Sequence, residues 1–106
     1  MQYILSTNAK EISKIAEALT SELRLTIIQH LCIKEMSVKE LHNILTSIRY
    51  RDTIYRHLEL LKAVGLLEKY YDDKTKELKY KLAYDSITIV FKSGSCANVY
   101  KKEKSL

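Results

Sequence analysis

Basic and hydroxyl-bearing side chains are concentrated in one short stretch of the sequence, residues 49–62. The stretch holds three arginines, a lysine, two tyrosines and a threonine. A guanidinium group presents a fixed fork of donors that fits guanine O6 and N7 or a phosphate, whereas an ammonium group meets phosphates as a point charge. These residue types therefore suit contact with nucleic acid. The candidate contact residues are Arg49, Tyr50, Arg51, Thr53, Tyr55, Arg56 and Lys62.

The charge distribution favours the same interpretation. The chain of 106 residues has a net charge of +5. Residues 1–48 hold five Lys or Arg and five Glu, whereas residues 49–81 hold nine Lys or Arg and six acidic residues. A localised positive excess indicates a surface for a polyanion, and nucleic acid suits it better than a membrane. Lys74 and Lys76 lie in a polar segment of this region, and we expect them to contact phosphates.

The spacing of apolar residues predicts four helices that position these side chains. The first helix covers 8–19, and the second runs from residue 20 or 21 to about residue 32. The third opens with a capping box formed by Ser37 and Glu40, in which each residue satisfies a free backbone amide of the other. It is expected to end near residue 46.

The fourth predicted helix carries most of the candidate residues. It begins at Asp52 or Thr53 and ends before Gly65, because glycine commonly terminates helices in the left-handed conformation. Apolar residues at helical spacing mark its core face, so the charged residues lie on or beside the opposite face. The core-facing residues are Ile54, Leu58 and Leu61.

Position along this helix assigns the charged residues different roles. Arg51 lies at the start, where a recognition helix presents side chains to base edges, so we expect it to read sequence. Arg56 and Lys62 lie further along and are expected to meet phosphates. The alternative is a solvated charged face, in which Glu59 pairs with Arg56 or with Lys62.

Alternating apolar residues after the fourth helix predict a β-hairpin over 66–83 with a charged tip. Residues 85–91 suit either a strand or a short helix, and their pattern does not separate the two. Residues 93–106 are expected to form a flexible basic tail. The chain is therefore predicted to be mainly α with a small β-hairpin, in the α+β class, with one domain over 1–92. Its order of elements is that of a winged helix-turn-helix.

Three blocks of the sequence share their order and spacing with a known family. They are residues 18–28 (ALTSELRLTII), 37–41 (SVKEL) and 53–66 (TIYRHLELLKAVGL). In these blocks the chain resembles the ArsR-type family of winged-helix transcriptional regulators, whose corresponding motifs read ALADPTRLRIL, SVGEL and TVSRHLKLLREAGL. The resemblance spans about residues 9–83. It implies sequence-specific binding to double-stranded DNA, with the fourth helix in the major groove and the hairpin as a wing on the backbone.

The sequence departs from this family in its connector, its recognition helix and its metal ligands. The connector over 46–51 is about two residues longer than usual and lacks glycine, and Tyr55 stands where the family has a small residue. Many members sense a metal through paired cysteines or an acidic and histidine cluster on the third helix. Here His42 is the only candidate ligand on that helix, so no metal site is expected.

The sequence contains no catalytic constellation and no cofactor motif, so we expect neither an enzyme nor a bound cofactor. Cys32 and Cys96 have no metal-ligand spacing, and whether they form a disulfide stays open. No apolar segment is long enough to span a bilayer and no leader peptide is evident, so a cytoplasmic protein without a membrane partner is expected. Abundant Ile, Lys and Tyr suit a hyperthermophilic source, archaeal or an archaeal virus.

A surplus of apolar residues predicts a homodimer. Residues 3–5 and 87–91 add more apolar surface than one small core buries. We expect pairing through the first helix and the segment over 84–91, and the family resemblance implies the same. A two-fold dimer would place its recognition helices about 34 Å apart, on successive major grooves.

Two other functions also fit the sequence. In the first, the winged helix is a protein interaction module, and tyrosines at positions 50, 55, 70 and 71 form its binding surface. In the second, the protein coats DNA without sequence preference, held by charge alone.

Overall fold

A computed structural model describes residues 2–6, 8–90 and 98–103. These residues form four helices and six strands, so the predicted α+β class is confirmed. The helices are α1 (Ala9–Ala18), α2 (Glu22–Ile33), α3 (Val38–Ile44) and α4 (Arg51–Ala63). The strands are β1 (Gln2–Ser6), β2 (Met36–Ser37), β3 (Leu67–Asp72), β4 (Glu77–Leu82), β5 (Tyr84–Val90) and β6 (Asn98–Glu103). Within the described ranges, no helix combines the length and the apolar character that crossing a membrane requires.

Local capping interactions set where the helices begin. The Asn8 side chain accepts hydrogen bonds from the backbone amides of residues 10 and 11, and Ser21 caps α2. The predicted capping box of α3 is confirmed: the Ser37 hydroxyl accepts the Glu40 amide, and the Glu40 carboxylate accepts the Ser37 amide. A short polar side chain at this position satisfies an amide that the helix itself leaves free.

The predicted hairpin is confirmed as strands β3 and β4, which pair in antiparallel register from Leu67 opposite Leu82 to Asp72 opposite Glu77. A turn over 73–76 joins them, and its last residue, Lys76, has a positive φ of 60°. Strand β2, which was not predicted, adds a third strand by pairing with β4. Two residues are too few for a readable alternation, so only the neighbouring strand defines β2.

The core lies between the four helices and the hairpin. The predicted core face of α4 is confirmed, because Ile54, Leu58 and Leu61 are fully buried. The other fully buried side chains include Ile27, Leu41 and Tyr80. Gly65, with a φ of 85°, follows α4 and lets the chain turn directly into the hairpin, as predicted. The core therefore holds one face of α4 against the sheet, and the opposite face of α4 points outward.

The two terminal segments form a second antiparallel sheet of order β1-β6-β5. The segment over 84–90 is a strand, which decides between the two structures that its sequence allowed. The prediction of a flexible tail over 93–106 is wrong for residues 98–103, since β6 lies between β1 and β5. Lysines at 101 and 102 suggested a solvated tail, but backbone pairing with two neighbouring strands determines the structure there.

An arginine of α2 links His57 on α4 to the end of α1. The Arg24 guanidinium donates from Nη1 to His57 Nδ1 at 3.1 Å and from Nε to the Ala18 carbonyl at 2.7 Å. Arginine has only donors, so Nδ1 must be the acceptor and the ring is neutral. Burial, followed by the positive charges of Arg24 and Arg56, lowers the pKa of His57 below 6.5.

We expect this contact to make stability depend on pH near neutrality. Because folded His57 binds a proton less readily than the unfolded chain does, its stabilisation is complete above pH 6.5 and is lost as pH falls through the lowered folded-state pKa. Urea unfolding midpoints should therefore drop between about pH 7.5 and about pH 5.5. In His57→Asn, which keeps an acceptor but does not titrate, the drop should be smaller. An equal drop in both proteins would contradict the assignment.

Candidate nucleic-acid interface

The exposed face of α4 begins with Arg51, which is the first residue of the helix. The predicted start at Asp52 or Thr53 is therefore late by one or two residues, because Tyr50 serves as the N-cap without a side-chain hydrogen bond. No polar capping side chain marks this start in the sequence. Arg51 is exposed, and among the described residues no carboxylate pairs with its guanidinium. It is thus free to bind an external acceptor.

The two other predicted cations of α4 are paired within the helix. Arg56 Nε lies 3.2 Å from Asp52, and both side chains are more than two-thirds exposed. Such a pair is weak in water and opens easily to a phosphate. Lys62 Nζ lies 3.4 Å from Glu59, so that alternative pairing is confirmed, whereas the pairing of Arg56 with Glu59 is wrong. Lys62 is in the last turn, about 16 Å along the helix from Arg51.

Glu59 joins α4 to the hairpin. Its carboxylate accepts a 2.6 Å hydrogen bond from the Tyr80 hydroxyl and a 3.3 Å contact from Lys69 Nζ, besides the Lys62 contact. The Lys69 ammonium also lies over the rings of Tyr55 and Tyr80, at 5.3 and 5.4 Å from their centroids. The Tyr80 hydrogen bond, aided by the two lysines, lowers the pKa of Glu59. Tyr55, a predicted contact residue, is therefore held in place by Lys69.

The connector before α4 is held by a histidine. His42 Nε2 lies 3.0 Å from the Ile48 carbonyl and 3.2 Å from the Arg49 carbonyl, so this nitrogen is the donor. The Arg49 guanidinium lies over the Tyr50 ring at 5.2 Å, and both side chains are exposed. Thr53 is half-buried beside them. His42, considered above only as a metal ligand, thus orders the longer connector that lacks glycine.

The hairpin tip presents two lysines. Lys74 and Lys76 are exposed, and within the described part of the chain neither is in an ion pair. Asp72 is not available to neutralise them, because it accepts Lys79 Nζ at 2.9 Å. That hydrogen bond and the Lys74 backbone amide lower the pKa of Asp72 to about 2. Asp72 therefore does not offset the charge of the two tip lysines, whereas Glu77 is in no ion pair among the described residues.

A groove of about 340 Å³ connects α4 with the hairpin. Arg51 and Tyr55 line it from α4, and Leu78 and Tyr80 line it from β4. The structure therefore brings Arg51 and Tyr55 next to the hairpin, whereas Lys62 lies near the other end of α4. Lys39 of α3 also lines the groove, and sequence analysis missed it because α3 showed no basic pattern.

No group of three His, Cys, Asp or Glu side chains that could hold a metal ion occurs among the described residues. Cys32 is exposed, and Cys96 lies outside the described residues. The sequence matches no protein-family model, and no curated protein is significantly similar to it. Function is therefore inferred from the chain's own residues.

Proposed function

We propose that the protein is a sequence-specific regulator of transcription that binds double-stranded DNA through a winged helix-turn-helix. Helices α3 and α4 are the helix-turn-helix, α4 enters the major groove, and the β3–β4 hairpin is the wing. The observation that carries the proposal is the unpaired, exposed Arg51 at the start of a helix whose opposite face is anchored in the core.

The residues divide by the part of the duplex that they reach. Arg51 is the base-reading residue, because its free donor fork fits guanine O6 and N7. Arg49, Arg56 and the tip lysines bind phosphates, which supply affinity without reading sequence. The arginines of residues 49–56 are flanked along the chain by Tyr50, Thr53 and Tyr55. Lys62 contributes only to the long-range positive field, because of its distance from Arg51.

A salt-titrated gel-shift assay tests the proposal. The probes are a random duplex pool and a duplex that the protein itself selects from that pool. Selective binding supports a regulator, and uniform binding with a steep salt dependence indicates an architectural protein instead. Absence of binding to any duplex at low salt would overturn the DNA-binding proposal and favour the interaction module.

The aromatic surface of that interaction module has partial support in the structure. Tyr50 and Tyr71 are 60% and 53% exposed, as a protein-binding surface requires. Tyr70, however, donates a 2.5 Å hydrogen bond to Glu35 and lies under Lys81 Nζ at 5.4 Å. Tyr70 is thus engaged within the chain, which removes one of the four tyrosines from the aromatic surface that the interaction module requires.

We propose further that the protein acts as a homodimer, paired through α1 and the segment over 84–91. The chain is elongated, with extents of 49, 30 and 19 Å and a radius of gyration of 15.0 Å, whereas a compact chain of this length has about 13 Å. Such a shape exposes surface that a second copy would cover. Phe91, at the end of this segment, lies outside the described residues.

Sedimentation equilibrium at micromolar concentration is expected to show a dimer. Ile89→Asp combined with Phe91→Asp should convert it to a monomer, because two carboxylates would be desolvated at the interface. Thr46→Asp combined with Ser47→Asp adds the same charge at two exposed positions outside both interface segments, and this matched control should leave the dimer intact. A wild-type monomer, or a dimer that persists in the double variant, would contradict this interface.

A further inference from the structure

The groove between α4 and the hairpin combines an apolar floor with positive side chains at its rim. Val38, Tyr55 and Leu78 contribute apolar surface, and the last two are 42% and 50% exposed. Lys39 and Arg51 add positive charge, and within the described residues neither is in an ion pair. A surface with these two properties fits a ligand that has both an apolar face and a negative charge.

We infer that this groove binds the sugar–phosphate backbone of one DNA strand, with Lys39 as its phosphate contact. The inference rests on the proposed function. In a duplex the backbone is the ridge that separates the major groove from the minor groove. Under the proposed function α4 lies in the major groove, and the hairpin reaches across the strand that borders it. The backbone of that strand then passes between α4 and the hairpin, which is where the protein groove lies. The deoxyribose packs against Tyr55 and Leu78.

The charges around the groove assign the phosphate contact to Lys39. Lys69 also lines the groove, but the Glu59 carboxylate at 3.3 Å neutralises it. Arg51 belongs to α4 and extends toward the base edges under the proposed function. Lys39 is exposed, belongs to neither element that flanks the ridge, and is paired with no carboxylate in the described part of the chain.

One acidic residue, Glu77, lines the same groove and opposes a phosphate there. Among the described residues it is in no ion pair, so its charge is not cancelled by a neighbour. The inference therefore predicts opposite effects on DNA affinity for changes at Glu77 and at Lys39. Removing this carboxylate strengthens DNA binding, whereas removing the Lys39 ammonium weakens it.

The test compares Lys39→Gln and Glu77→Gln with the wild type and with Lys102→Gln, which removes a charge from an exposed position of β6 outside the proposed dimer and DNA interfaces. Affinity for the selected duplex is measured as a function of salt. Loss of one phosphate contact should lower affinity about eightfold at 0.1 M salt and reduce the slope of log K against log salt by about 0.9. Glu77→Gln should raise affinity about threefold, and Lys102→Gln should change little.

A neutral methylphosphonate placed at successive backbone positions identifies the contacted phosphate. At one position it should weaken binding of the wild type but not of Lys39→Gln, because the same interaction is already lost. If Lys39→Gln behaves like Lys102→Gln and couples to no phosphate while the wild type binds DNA, the groove inference is overturned and the proposed function stands. Failure of the wild type to bind any duplex overturns both.

Discussion

Replacing Arg51 with alanine is expected to relax sequence preference and leave general DNA affinity nearly unchanged. A bidentate contact from a guanidinium to guanine discriminates against other bases by about 1–3 kcal/mol, or roughly 5- to 150-fold. Arg51 is exposed and makes no intramolecular ion pair within the described residues, so its loss should not perturb the fold. The measurement is the ratio of affinities for the selected duplex and for duplexes with single base changes.

The hairpin tip provides the matched comparison. Lys74→Ala combined with Lys76→Ala should weaken binding about equally on every sequence, by up to about 60-fold at 0.1 M salt. The salt slope should fall by about 1.8, which corresponds to two phosphate contacts. If neither this variant nor Arg51→Ala changes affinity or selectivity, the proposed DNA-binding face is wrong, and the exposed tyrosines become the leading binding surface.

Elements fixed by local interactions were predictable from the sequence. The capping box of Ser37 and Glu40, the core face of α4 and the glycine that ends it depend on residues within a few positions of one another. The hairpin over 67–82 was predictable for the same reason, since its strands are joined by a short turn. Apolar periodicity and capping residues reflect such short-range interactions directly.

Elements fixed by distant partners were not predictable in the same way. Strand β6 pairs with β1 at the opposite end of the chain, and its lysines gave it the composition of a solvated tail. Strand β2 exists only because β4 lies beside it. Strand propensity depends on neighbouring strands more than on the segment itself, so a single sequence carries little signal for such elements.

The same difference between local and distant interactions holds for the candidate site. The cations of α4 and of the hairpin tip were identified from residue type and position. Of their pairings, only that of Lys62 with Glu59 was identified, as an alternative. The others were not, because Lys69 and Tyr80 reach Glu59 from the hairpin and Lys79 neutralises Asp72 across it. One signal was present in the sequence: Lys69 and Tyr80 fall opposite each other once the hairpin register is drawn. The register does not show that Glu59 of α4 lies against this pair, because that contact depends on how the core packs.

Replacing Glu59 with alanine is expected to lower the free energy of unfolding by about 2–3 kcal/mol. Tyr80 is 1% exposed, and its hydroxyl would lose its acceptor at 2.6 Å without gaining water. The Lys69 ammonium would lose its only carboxylate partner within the described residues. Because α4 is tied to the hairpin through this carboxylate, chemical unfolding followed by circular dichroism should show the full loss in one transition.

Two further variants distinguish this buried hydrogen bond from an ordinary surface charge. Adding Tyr80→Phe to Glu59→Ala should recover part of the loss, since removing both partners leaves no unsatisfied hydroxyl. Asp52→Ala breaks the exposed pair with Arg56 and should cost no more than about 0.5 kcal/mol. A Glu59→Ala loss as small as that of Asp52→Ala would show that the carboxylate does not fasten α4 to the hairpin. The groove between them would then need another support, because Tyr55 and Lys69 are placed on it by the same contacts.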